Sequence, residues 1–338
     1  MSVKPTMDEI AADVDDLLRT KFEYSTTTSV PYDNDPGLSY EGGKTKWGKI
    51  IDTCVLYVDI RGSVNLNKDY PQVTISRLYT AFVKSVIKAG RLHGGHTRNI
   101  IGDRVMIVFD TKDCYTNAVS CAVSINHIAD KVINEKFKGL YFKCGIGIDY
   151  GTMKVIKVGV PRRGNANAAN RGLVWAGKPA NMASRLTDLG NKTITETYYD
   201  VTIKPYTQFG SRSLWDYVNL DPYPAGLSRP APNSFGSPGS MQPEYLDGKT
   251  VSMSEAEFLR KIKMDKGQLY SDKDFVVHFE KKTRNSTYPP ILITERVLTG
   301  FKAEGLRSDL YKAGYWRDEF TVKDVDSRVF GQHFTWNL

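Results

Sequence analysis

Four residues of the chain, Asp59, Asp103, Asn181 and Arg185, have types and spacings that could do chemistry together. Asp59 ends an apolar, β-branched run, Thr53-Cys54-Val55-Leu56-Tyr57-Val58, and a Gly-containing turn follows at Arg61-Gly62-Ser63. A buried strand that stops on a carboxylate holds the acid rigidly at its tip. Asp103 lies 44 residues further on, in a Gly102-Asp103 turn between two short segments, 98–101 and 104–109, that read as the strands of a hairpin. With these strands side by side in one sheet, the two acids can share a divalent cation, because hard cations take carboxylate oxygens. Asn181 and Arg185 are four apart on a predicted helix, so an amide and a guanidinium project from one face about one turn apart. Taken singly, each has an ordinary reading: two turn aspartates, a helix cap and a surface charge.

These residues need a scaffold. Behind the first strand, Ile75, Leu78, Tyr79, Phe82, Val83, Val86 and Ile87 recur at helical spacing and predict a long helix packed on a sheet. His93-Gly94-Gly95-His96 ends it; two histidines without a third ligand nearby do not make a metal site. A second helix starts at Asp113 as N-cap, with Cys121, Ala122, Ile125, Ile128, Ala129 and Val132 facing inward. A second hairpin is expected from 140–148 and 152–158, turning at Asp149-Tyr150-Gly151. The order strand, helix, hairpin, helix, hairpin, helix is that of an α/β (α+β) ferredoxin-like core, an antiparallel-rich sheet with helices on one face.

At the N-terminus, Ile10, Val14, Leu17 and Leu18 form the apolar stripe of an acidic helix, and a polar connector follows, so 1–46 is read as helix and connector. The 338 residues carry a net charge of +8, which suits an anionic partner such as a nucleoside triphosphate. No run of six Lys/Arg argues for a nucleic-acid patch. The four cysteines form no Cys-x-x-Cys pair and lie in apolar segments, which predicts reduced, buried thiols. No secretory leader and no apolar stretch of membrane-spanning length is present, so a cytoplasmic protein without membrane contact is expected.

Asp59-Ile60-Arg61-Gly62, Gly102-Asp103 and, after Ala176-Gly177-Lys178-Pro179-Ala180, Asn181-Met182-Ala183-Ser184-Arg185 occur in that order. In this the chain resembles the class III nucleotidyl cyclases, over about 50–190 well and 285–338 weakly. The resemblance implies that Asp59 and Asp103, with the backbone carbonyl of Ile60, bind two divalent cations, Mn²⁺ or Mg²⁺. It implies that Asn181 bonds the ribose ring oxygen and that Arg185 stabilises charge on the α-phosphoryl oxygens. In that family the acids come from one subunit and the Asn/Arg pair from the other, which implies a homodimer with shared active sites. Lys323 or Lys178 could grip the triphosphate. The family's closing strand matches either Thr193-Ile194-Thr195-Glu196 or 291–297; the second is favoured, because 325–336, with Val329, Phe330 and Phe334, then supplies the last strand. The catalytic domain becomes 47–199 with 284–338, and 200–283 a Pro/Gly-rich insertion, read as loop around 221–244 with at most a short helix at 254–264. The small, basic stretch 161–172 reads as a solvated loop or a flap whose arginines reach phosphate.

The base-reading positions depart from the purine cyclases of that family. Tyr57 stands where they have Phe, Asn99 where they have Lys or Glu, and Val174, beside Trp175, where adenine enzymes have Asp. A narrower pocket without a charged reader suits a pyrimidine, since an unpartnered buried base donor costs about 1–3 kcal/mol. The pattern is similar to the pyrimidine cyclases of bacterial antiphage (Pycsar) systems, which make cyclic UMP or cyclic CMP for a separate effector. UTP is favoured and CTP next. A purine cyclase with unusual base contacts, or a non-catalytic cyclase-homology domain, are the alternatives.

Overall fold

A computed structural model describes residues 3–39, 45–159, 171–204, 248–265, 267–272, 274–310, 316–320, 322 and 324–338. It divides into two units, Met1–Lys192 with Thr287–Leu338, and Thr193–Ser286. The segments 161–170 and 221–244 and Lys323, named above, lie outside the described residues.

The chain opens with α1 (Lys4–Arg19), none of whose residues is buried, and β1 (Lys21–Thr26), which pairs in parallel with β2 (Thr45–Ile60). β2 is the central strand, buried on both sides: Cys54, Leu56, Val58 and Ile60 face one layer, Ile51 and Val55 the other. It stops at Gly62, whose φ of 67° is open to glycine, and the chain turns into α2 (Ser63–Asp69) and α3 (Gln72–Leu92). A hairpin follows, β3 (Gly95–Ile101) and β4 (Arg104–Phe109), turning at Gly102 with φ 63°. Next come α4 (Cys114–His127), continued by a π turn over Ile128–Ile133 into α5 (Asn134–Lys136), then β5 (Cys144–Gly159), β6 (Arg171–Ala176) and α6 (Lys178–Leu189).

The second unit is built from β7 (Thr193–Lys204), β8 (Lys249–Ser254), α7 (Glu255–Lys261), β9 (Ile262–Asp265), β10 (Gln268–Ser271) and β11 (Asp274–Thr287). The first unit then resumes with β12 (Ile291–Thr294), α8 (Glu295–Glu304), β13 (Arg317–Phe320) and β14 (Val329–Gln332).

The first unit's sheet runs β13-β14-β12-β5-β2-β4-β3, with β1 on β2 and β6 on β5. Its β5-β2-β4-β3 part is antiparallel throughout, and β12 joins parallel to β5. One face is covered by α3, α4 and α8, whose Leu78, Phe82, Val86, Ala122, Ile125, Val297 and Phe301 pack on Leu56, Ile107, Ile146 and Ile148. Each of these side chains other than Ala122, removed from water, contributes about 1.5–3 kcal/mol. The α/β fold with an antiparallel-rich sheet is the one expected. One helix departs from single-face layering: α6 lies on the opposite face, with Ala180 and Ala183 against Ile51, Val55, Met106 and Met153.

Three local expectations are corrected. Asp149-Tyr150-Gly151 is not a turn, because β5 runs straight through it against the long β2, pairing Val55 with Asp149 and Cys54 with Tyr150. The hairpin partner of β5 is β6, with Trp175 opposite Val155. Asp113 does not cap α4 with its side chain, since its φ is 55°; the Glu304 carboxylate accepts from the backbone N–H groups of Tyr115 and Thr116 at 3.3 and 2.7 Å. The stretch 200–283 is more than loop: its described residues join Thr193–Ser286, a five-stranded sheet β8-β7-β11-β10-β9 closing on Val201, Met253 and Val276. The short helix expected there is α7, capped by the Ser254 hydroxyl. The Thr193 candidate falls in this sheet, whereas Ile291 opens the first unit's β12, antiparallel to β14. All four cysteines are free and buried. Among the described residues no helix is long and apolar enough to cross a membrane.

Candidate active site

The ends of β2 and of the β3–β4 hairpin bring Asp59 and Asp103 together. Val58 pairs with Val105, so Asp103, two residues earlier in the hairpin turn, lies beside the tip of β2. Burial pushes the Asp103 carboxyl up, and the neighbouring Asp59 charge and hydrogen bond push it further; a bond from Ser63 opposes them. Its Oδ2 is buried without a hydrogen-bond partner. Asp59 is better satisfied: Arg104 donates to its Oδ2 from Nε at 3.2 Å and from Nη2 at 2.7 Å. The same guanidinium donates to the Ser184 hydroxyl at 2.9 Å and to Asp188, so it ties β2 to α6. Arg61 lies close by, its Nε on the Gly190 carbonyl and its Nη2 buried without a partner, and burial pulls its pKa down against Asp59 and Asp188.

Two carboxylates pressed together, one with an orphaned oxygen, fit a divalent cation. The Ile60 side chain is buried in the helix-covered layer, so that residue could contribute only its backbone carbonyl. Among the described residues no cluster of three or more His, Cys, Asp or Glu offers a rival metal site. His93 and His96 go elsewhere: His93 Nε2 bonds Ser124 at 2.8 Å, and His96 lies 3.6 Å from Asp110. Nothing in the sequence marks Arg104 out beyond its place directly after Gly102-Asp103.

α6 carries the other pair. It rests on β5 where that strand is glycine: a Cβ on Gly147 would lie 2.2 Å from the Ala183 carbonyl and 2.6 Å from the Thr187 nitrogen. The Thr187 hydroxyl, which also bonds the Ala183 carbonyl, donates to the Tyr57 carbonyl at 3.0 Å and fixes the helix along its axis. Asn181 and Arg185 are exposed on it. Arg185 donates to the Asp324 carbonyl and lies 3.7 Å from the Asp324 carboxylate, while Lys178, at the start of the helix, pairs with Asp326. No hydrogen bond or ion pair among the described residues joins Asn181 or Arg185 to Asp59 or Asp103 of the same chain.

Of the base-reading candidates, Tyr57 and Asn99 lie in one cross-strand row, with Met106 between them. The Tyr57 hydroxyl donates to Met106 Sδ at 3.3 Å, and burial raises its pKa, which keeps it a donor. Trp175 packs on the same layer as Tyr57, with Arg98 over its ring at 5.9 Å and its Nε1 buried without a partner. Val174, the next residue of β6, points to the other face by strand alternation and is 42% exposed. The structure thus places Tyr57, Asn99 and Trp175 on the α6 side of the sheet and Val174 away from it.

Comparison with known proteins supplies relatives. The uridylate cyclase of Burkholderia cepacia is 30% identical over 190 residues, covering 55% of this chain and 78% of the relative. The uridylate cyclase of Xanthomonas perforans is 28% identical over 224 residues, covering 64% of this chain and 92% of the relative. Among solved structures, the adenylyl cyclase CyaB from P. aeruginosa aligns over 84% of this chain and 94% of its own at 14% identity, with a TM-score of 0.43. No protein-family profile matches the chain. The extent of the match to the Burkholderia protein decides the assignment: this chain belongs to the class III nucleotidyl cyclases, with pyrimidine cyclases among its relatives.

Proposed function

We propose that the protein cyclises a pyrimidine nucleoside triphosphate, UTP in preference to CTP, to the 3′,5′-cyclic monophosphate and pyrophosphate, as a cytoplasmic homodimer with shared sites. The observation that carries this is the convergence of Asp59 and Asp103, with a buried unpartnered Oδ2, on the sheet face over which α6 displays Asn181 and Arg185. The relatives' names support the pyrimidine substrate. Two divalent cations, Mn²⁺ or Mg²⁺, bound at these acids would supply the positive charge that eases loss of the 3′ hydroxyl proton and neutralises the phosphates.

The chain's own groups do the rest. Asp59 is held in one orientation by Arg104, and Asp103 by the hairpin turn and Ser63. Arg185 of the partner copy offers a charge-assisted, two-pronged contact to the α-phosphoryl oxygens, and Asn181 holds the ribose, so that attacking oxygen, phosphorus and leaving group line up. Tyr57 and Trp175 border the base, and Asn99 can turn its amide to either pyrimidine edge. The product then acts on a separate effector as a messenger in antiviral defence.

Incubation of the protein with Mn²⁺ and each of the four common ribonucleoside triphosphates tests this. Cyclic product from UTP above CTP, and none from ATP or GTP, is the expected outcome. Product from a purine alone, or from no nucleotide, contradicts it.

A further inference from the structure

Two cationic residues of α6 are already paired with anionic groups. Lys178 and Arg185 are seven residues apart, roughly 10 Å along the helix axis, and both meet one short segment, Asp324-Val325-Asp326, just before β14. Asp326 pairs with Lys178, and its other oxygen lies 3.5 Å from Arg296. Arg296 in turn stands 3.4 Å from the buried Asp149 and so anchors the segment to the core. Asp324 meets Arg185 twice, through its carbonyl and through its carboxylate at 3.7 Å. Its φ is 60°, a left-handed conformation that Asp and Asn tolerate better than other side chains.

A guanidinium that is donating to a carbonyl and facing a carboxylate cannot make a full bidentate contact with a phosphoryl group. Carboxylates and phosphate oxygens compete for the same donors. We propose that the Asp324–Asp326 segment is an acid latch: it holds Arg185 and Lys178 in the free protein, is displaced by the incoming triphosphate, and thereby sets the affinity for nucleotide. This rests on the role given to Arg185 above. The latch is weak enough to open, because both pairs are solvent-exposed, with side-chain exposures of 43–63%.

The test is the double variant Asp324→Asn/Asp326→Asn in the full chain, which keeps the left-handed turn and the backbone carbonyl while removing both charges. Inorganic triphosphate, a probe free of base and ribose, binds about two- to tenfold more tightly in calorimetry, and KM for UTP falls by a similar factor at unchanged kcat. Asp309→Asn, which removes one carboxylate charge from the separate Arg307 pair, leaves both unchanged. Unchanged or weaker triphosphate binding by the double variant overturns the latch. So does a fall in kcat, which would make the acids positioning groups for Arg185. Arg185→Ala separates the two levels of the argument: if it turns over normally the proposed function itself fails, whereas if it is inactive and the double variant binds as the parent does, only the latch fails.

Discussion

Asp103 is half-buried beside a second carboxylate, with one oxygen unpartnered. Neutralising it should leave the fold intact and remove turnover: Asp103→Asn is expected to lose activity on the order of 10³-fold, the scale of losing a group that stabilises transition-state charge. Steady-state assay beside circular dichroism checks this. Asp149, on the same sheet, has a structural task. Burial raises its pKa, while the Thr294 hydroxyl at 2.6 Å and Arg296 draw it back. The folded value lies above the unfolded one, so the native state holds a proton that the unfolded chain has released. Stability therefore falls as pH rises from about 4 through the raised value, and stays lower above it. Asp149→Asn keeps a partner for Thr294 and removes that loss. Its melting temperature relative to the parent should rise between pH 4 and pH 7, and a flat or falling difference would contradict the assignment.

Elements, rather than residues, set where Asn181 and Arg185 point. α6 lies close on β5 because Gly145 and Gly147 clear the way, and Gly147→Ala would drive a Cβ into backbone atoms of Ala183 and Thr187. A cost of about 1–3 kcal/mol is expected, read as a lower urea midpoint at unchanged slope, with turnover falling more than stability because the helix is displaced. Glu304, which caps α4 from α8, should cost about 1 kcal/mol when changed to Ala, by the same measurement.

How much of this was legible in the sequence varies with the element. The helix from Ile75 shows because its buried face repeats at 3.6 residues, and β12 because Ile291-Leu292-Ile293 is apolar on both faces. The false turn at Asp149 arose from turn-forming residue types. The partner that overrides them is the far half of β2, about a hundred residues away in the chain, and local propensity carries no trace of it. The sheet of Thr193–Ser286 was masked by the Pro/Gly-rich centre between its strands. The nearness of Asp59 to Asp103 and the shared helix of Asn181 and Arg185 were legible through motif spacing, whereas the bridge from Arg104 to Asp59, Ser184 and Asp188 joins three segments that only the fold brings together.

At the scale of the whole molecule, one copy keeps the two acids and the Asn181/Arg185 pair unbonded to each other among the described residues. Asp59 and Asp103 converge at the strand tips, while Arg185 is exposed on α6 and occupied by Asp324, without a bond to either acid. In the homodimer proposed above, a two-fold axis sets each acid pair against the other copy's α6, giving two equivalent sites. Mixing two inactive variants tests this most directly. Asp59→Ala and Arg185→Ala, each inactive alone, should regain about one working site per heterodimer when combined, giving roughly a quarter of parental activity in an equal, freely exchanging mixture. A mixture that stays inactive although differently tagged copies co-purify would contradict the shared site, and so would full activity in a monomer.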